Sequence, residues 1–198
     1  MNIKFAGKTI ELFGKELNDL DKEVIKFVGL LDSKYVVVSG YISLLFGRPR
    51  TTEDVDLLVQ IKNYRAFALI WKRAYNQGYY CLNDDDPLEA YKIFSEGSSV
   101  RFAKRNTLFP NFELKAPKSR IEQTALNKRL KLRFDDSGIF ISPLELQIAY
   151  KLYLASDKDY EDARYLYTLL SQYIDLRKLK YFISSLGVRE AAKEILGV

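Results

Sequence analysis

Two aspartates, Asp54 and Asp56, stand in the run Glu53-Asp54-Val55-Asp56-Leu57-Leu58-Val59. The apolar, β-branched setting predicts a strand over 54–59, and residues two apart on a strand leave by the same face. Two carboxylates side by side repel unless water or a cation relieves them. A divalent ion does this and can bridge them to phosphate oxygens. A bare Asp-x-Asp has a second reading, as solvent-facing residues of an edge strand. The residues just upstream bear on that choice. Tyr35-Val36-Val37-Val38 is a second apolar strand that runs into Ser39-Gly40, and Tyr41–Phe46 follows as a short helix stopped by Gly47. A strand, a small-residue turn and a helix start offer free N–H groups and a partial positive charge to a phosphate. Gly40 lets a ligand come close to the backbone.

The inventory of side chains narrows the chemistry further. The chain has no histidine and one cysteine, Cys81. Ser–His and Cys–His catalysis, histidine zinc sites and imidazole acid–base steps are excluded. No intrachain disulfide can form, which fits a reducing compartment. Hard-metal chemistry on oxygen ligands, with Mg2+ or Mn2+, suits what remains. The net charge of +5 and pI near 9.1 favour an anionic partner, although an ordinary basic surface gives the same numbers. No apolar run approaches the ~18–20 residues of a membrane helix, and residues 1–14 lack a signal-peptide layout. A cytoplasmic protein with no membrane partner is expected.

The elements that must position these residues follow from periodicity. A helix is expected from Asn18 to Leu31, and another from an Asn63 cap to Gln77. Asp84-Asp85-Asp86-Pro87 reads as a cap and turn opening a short helix, rather than a metal cluster. Strands are expected over 99–103 and 111–115, a helix over 118–126, and a hairpin over 129–141 around Asp135-Asp136-Ser137-Gly138. Ser142-Pro143-Leu144-Glu145 reads as a capping box with proline in the first turn, followed by helices to the end. The expected class is α/β (α+β): a mixed sheet flanked by helices over residues 1–141, then a C-terminal helical lobe over 142–198 packed on it as one compact unit.

Taken together, Val36–Val59 resembles the nucleotidyltransferase superfamily, whose pattern is an apolar strand, Gly-Gly or Gly-Ser, a short helix and Asp-x-Asp/Glu. It is most similar to the minimal prokaryotic branch that includes the AbiEii-type abortive-infection toxins. Gly40, Gly47, Arg50, Thr52, Asp54, Asp56 and Leu57 match that branch; Ser39 replaces its first glycine and Ile42 its alanine. Ser142–Leu170 matches too, through Pro143, Glu145, Lys151, Lys158, Asp159 and Asp162. The resemblance implies a nucleotidyltransferase fold and an enzyme that moves a nucleoside monophosphate from a nucleoside triphosphate. The acceptor it implies is a hydroxyl of RNA (tRNA) or protein, in a toxin–antitoxin setting with an antitoxin partner. It implies Asp54 and Asp56 as metal ligands and a third carboxylate from a later strand, for which Glu113 is the candidate. Ser39, Gly40, Arg50, Thr52, Lys115 and Lys151 become candidate nucleotide and phosphate ligands. For Glu113 a solvent-facing strand position, and for Lys115 a plain surface lysine, are the other readings. Asp159 and Asp162 would fix the helical lobe or cap a helix, and capping is the reading taken for Asp157 and Asp159. Arg48 and Arg50 would pair with Glu53 or grip phosphate. A catalytically silent nucleotide-binding or protein-interaction module is the alternative function. An RNA-binding adaptor is a third, since residues 115–133 hold seven basic residues against one acidic residue.

Overall fold

The computed structural model describes residues 2–134 and 137–198. In chain order the elements are β1 (Asn2–Ala6), β2 (Thr9–Phe13), α1 (Asp19–Val28), β3 (Lys34–Val37), α2 (Gly40–Leu45), β4 (Asp54–Gln60), α3 (Tyr64–Asn76), β5 (Tyr79–Cys81) and α4 (Pro87–Ser95). They continue with β6 (Val100–Lys104), β7 (Asn111–Lys115), α5 (Arg120–Asn127), β8 (Leu130–Phe134), β9 (Ser137–Ile141), α6 (Leu144–Leu154), α7 (Asp157–Leu169), α8 (Leu176–Leu186) and α9 (Arg189–Leu196). Among the described residues the strands form one mixed sheet in the order β1-β2-β8-β9-β3-β4-β7-β6-β5.

Local chemistry accounts for the boundaries. Asn18 accepts from the Asp21 N–H while Asp21 returns the bond, so α1 starts with a capping box. Asn63 caps α3 and Asp86 caps α4, where Asp86 accepts from Leu88 and Glu89 N–H. The hairpin β8–β9 forms, and its expected turn residues Asp135 and Asp136 lie outside the described residues. β1, β2 and β5 are absent from the elements expected above. Ile3 and Phe5, then Ile10 and Leu12, alternate around Gly7 (φ +62°), which is a hairpin signal in the residues read only for a leader.

Two expected caps differ. At Ser142-Pro143-Leu144-Glu145 there is no capping box. Ser142 is buried with its N–H on Val37 O, and Glu145 turns away to accept from the Asp175 N–H at 3.0 Å. Helix α7 is capped by Ser156, not by Asp157 or Asp159, because those two already lie in its first turn; the Ser156 hydroxyl accepts from the Asp159 N–H, and the Asp159 carboxylate bonds Ser156 and Lys151.

The sheet is built around β4, which lies between β3 and β7, so the edge-strand reading of Asp54 and Asp56 does not hold. Val55, Leu57 and Val59 are fully buried. Phe27 of α1 stacks on Phe112 of β7 with centroids 4.0 Å apart. Helix α6 is apolar nearly all round and buried over most of its length, as expected of a helix enclosed by neighbours. The residue leading into it is tied to the sheet through the Ser142 bond to Val37, which sets the start of α6 beside the end of β3. Among the described residues no helix is long and apolar enough to cross a membrane.

Candidate active site

Strands β4 and β7 run parallel, with Asp54 opposite Asn111 and Asp56 opposite Glu113. Residues in register on neighbouring strands share a face, so Glu113 joins the Asp54 and Asp56 pair there although it lies 57 residues beyond Asp56 in sequence. Glu113 is buried, so its solvent-facing reading is excluded. Two cations meet the group. Lys115 Nζ lies 3.1 Å from Asp56 Oδ1 and 2.9 Å from Glu113 Oε1, and Arg101 Nε of β6 lies 3.1 Å from Glu113 Oε2. Among the described residues Asp54 has no ion-pair partner.

The protonation preferences follow this layout. Burial, then the charges of Asp56 and Glu113, lift the Asp54 carboxyl above the usual carboxylate range. Burial pushes the Glu113 carboxyl up as well. Hydrogen bonds from Lys115 and Ser99, with the charges of Lys115 and Arg101, outweigh that and hold it below the usual range. Burial works against the Lys115 ammonium, but Asp56 and Glu113 prevail and raise its pKa above that of an ordinary lysine.

A cleft of about 200 Å³ opens beside Asp56 and Lys115. It is lined by Ile121 and Ala125 of α5, by Leu146, Gln147, Tyr150 and Leu154 of α6, and by Ser39. Burial, then Glu122, holds the Tyr150 phenol above its usual range. Nothing in the sequence marks these wall residues, because apolar spacing on a helix signals core and cleft alike.

Ser39 has φ +65° and ψ −143°, a conformation that glycine adopts without cost and serine does not. The Gln147 side chain holds it from both sides: Oε1 accepts from the Ser39 N–H at 3.2 Å, and Nε2 donates to Ser39 O at 2.8 Å. A glycine would adopt this conformation without strain, and the arrangement places the Ser39 N–H on Gln147. At Gly40 the space a side chain would fill is taken by Arg50, whose Nη2 would lie 2.9 Å from an added Cβ.

Arg50 and Lys151 lie apart from the carboxylate group. Both bond Asp162, which is fully buried in α7; Lys151 Nζ is 2.9 Å from Asp162 Oδ2 and 2.5 Å from Asp159 Oδ1. Arg48 joins Asp162 and Glu161 and has no ion pair to Glu53. Asp162 therefore fastens the helical segment to the loop before β4, the fixing role named for it above. Thr52 donates to the Asp54 carbonyl at 2.9 Å and stiffens the start of β4.

The donor set suits a hard cation. Asp54, Asp56 and Glu113 are oxygen ligands with repulsion to relieve, and the buried Asn111 Oδ1, in register with Asp54, has no hydrogen-bond partner. Among the described residues no three acidic side chains converge on one point as they stand, and the Lys115 ammonium bonds both Asp56 and Glu113.

The chain matches no protein-family model and no curated protein. Solved structures do resemble it. An antigenic nucleotidyltransferase-like protein from Paracoccidioides brasiliensis aligns with TM-score 0.51 and 16% identity over 88% of this chain and 89% of that one. The antibiotic-resistance factor ANT(2'')-Ia aligns with TM-score 0.50 and 12% identity over 88% of this chain and 96% of that one. At these identities the likeness is one of fold, and the fold is that of the nucleotidyltransferases.

Proposed function

We propose that this protein is a metal-dependent nucleotidyltransferase that moves a nucleoside monophosphate from a nucleoside triphosphate to a hydroxyl of RNA, such as tRNA, or of protein. The observation that carries this reading is the β4–β7 register, which sets Glu113 on the face of Asp54 and opposite Asp56, itself a lining residue of the cleft. The three carboxylates would hold Mg2+ or Mn2+. When bound, such an ion supplies Lewis-acid stabilisation of the α-phosphate and of the departing pyrophosphate. The chain's own residues do the rest. Glu113, charged at neutral pH, completes the acidic set next to the acceptor hydroxyl. Lys115 reaches into the cleft with a cation for phosphate oxygens. The walls Ile121, Ala125, Leu146 and Tyr150 exclude water and take the base and sugar, with the helices from residue 142 onward acting as the closing lobe. A toxin paired with an antitoxin is the setting that the sequence resemblance favours.

One observation favours a silent nucleotide-binding module instead. The Ser39 N–H is committed to Gln147 and the approach to Gly40 is filled by Arg50, so two groups expected to face phosphate are engaged. The deciding experiment incubates the protein with Mg2+, each α-labelled nucleoside triphosphate in turn, and total RNA plus the protein itself. The Asp54→Ala/Asp56→Ala double variant is the control. Label on RNA or protein with wild type alone supports transfer and names the nucleotide. Tight magnesium-dependent nucleotide binding without transfer moves the assignment to the silent module.

A further inference from the structure

The side chain of Lys115 does an unusual thing at the end of β7. It turns back along its own strand so that one ammonium bridges Asp56 Oδ1 at 3.1 Å and Glu113 Oε1 at 2.9 Å. That is the gap an ion shared by these carboxylates would fill. Mg2+ binds carboxylate oxygens at about 2.1 Å and Mn2+ takes the same hard ligands, so metal and ammonium cannot both hold the gap. The two cations of the site also differ in freedom. Arg101 grips only the far oxygen of Glu113 and does not line the cleft. Lys115 is 40% exposed at its side chain and lines the cleft with Ser39 and Gln147. Its flexible four-carbon stem can swing the ammonium without moving the strand.

Charge decides when it would swing. Lys115 and Arg101 already offset most of the charge on Asp54, Asp56 and Glu113. A divalent ion arriving alone must break two ammonium–carboxylate bonds and leave a cation beside it. A triphosphate arriving with the ion gives the ammonium new oxygens to bond.

We propose that Lys115 is a resident cation of the acidic site, standing in for the metal at rest and yielding its place when a triphosphate arrives to receive it. Metal and nucleotide then bind with positive coupling, and linkage makes that coupling reciprocal. This rests on the reading of Asp56 and Glu113 as metal ligands, and it makes Lys115 a positioning residue that governs the order of loading.

The test measures Mn2+ binding to the full chain without nucleotide, by the electron-spin-resonance signal of free Mn2+, for wild type, Lys115→Met and Lys115→Arg. Methionine keeps the length of the stem and removes the charge; arginine keeps the charge. Lys115→Met should bind Mn2+ at least tenfold tighter than wild type, and Lys115→Arg should stay as weak as wild type. Adding Asp56→Ala to Lys115→Met should abolish the gain, which locates the ion. Each α,β-methylene ribonucleoside triphosphate is then titrated with and without Mn2+. At least one should bind wild type tenfold or more tighter with the ion, and that ratio should fall below threefold in Lys115→Met. Unchanged, weaker or undetectable Mn2+ binding by Lys115→Met overturns the proposal. The metal readout needs no turnover. Absent transfer with a tightened Lys115→Met therefore counts against the enzymatic reading alone, while transfer with an unchanged Lys115→Met counts against this one alone.

Discussion

Two clusters of charge can be set side by side among the described residues, and they are built to different ends. In one, Arg48, Arg50 and Lys151 meet Asp159, Glu161 and Asp162, and every group except Glu161 is mostly withdrawn from water. In the other, Asp54, Asp56 and Glu113 meet only Lys115 and Arg101, both well exposed, and Asp54 has no partner among the described residues. The first is charge-balanced and closed. The second is left anionic and open to a cleft. A balanced buried cluster holds segments together, because removing any member strands a charge in low dielectric. An unbalanced cluster at a cleft has affinity to spare for a cation or a ligand. The same residue types do both jobs, so balance and burial, rather than composition, separate a brace from a site.

The sharpest way to break that comparison is to remove the centre of the brace. Asp162→Ala leaves Arg48, Arg50 and Lys151 without their buried partner and should cost about 3–5 kcal/mol of unfolding free energy. Urea denaturation reads this, and a loss under about 1 kcal/mol would mean that Asp162 braces nothing. Removing a member of the open cluster should do the reverse. Asp54→Ala should leave the urea midpoint near wild type and lower transfer by roughly 100-fold or more. Transfer at wild-type rates by Asp54→Ala would remove Asp54 from the site.

The turn between the clusters gives smaller effects. Gln147→Ala deletes both bonds that hold Ser39 and should cost about 1–2 kcal/mol. Ser39→Gly relieves the positive-φ strain at some cost in chain entropy, and it should stabilise by about 1 kcal/mol or less. Destabilisation by Ser39→Gly would show that the hydroxyl, not the backbone, matters there.

The smallest effects are in pH, where the two clusters should have opposite slopes. Asp54 has a raised pKa in the folded state. Its contribution to stability is full below its unfolded value and is lost as pH rises through the folded value. Asp159 is the converse. Burial would raise it, but bonds from Lys151 and Ser156 hold it below the usual range. Its contribution is present above the unfolded value and is lost as pH falls through the folded one. From neutral to mildly acid pH, wild type should therefore gain stability relative to Asp54→Asn, and in stronger acid it should lose stability relative to Asp159→Asn. Urea midpoints of the three proteins across pH check this, and a wild-type to Asp54→Asn difference that is flat in pH refutes the first half.

Much of this layout is legible in the linear chain. The strand over 111–115, the Asn18 and Asn63 caps and the same-face pair Asp54 and Asp56 follow from spacing, since strand and helix periods are properties of neighbouring residues. The stacking of helices at the C-terminal end follows as well. What spacing cannot supply is partnership across the sheet. Glu113 is the one acidic residue between Glu96 and Glu122, but only the β4–β7 register puts it opposite Asp56. Arg50 and Lys151 look like phosphate ligands in sequence, and only the packing of α6 and α7 shows both held by Asp162. Gln147 carries no signal at all, because a polar residue on an apolar helix has no meaning until its neighbour, the strained Ser39, is known. The sequence by itself determined most of the elements, though not β1, β2 and β5, and the two aspartates on one face. Tertiary structure decided which charges are compensated and which remain open to a ligand, because compensation depends on distance and burial, and neither is set by position along the chain.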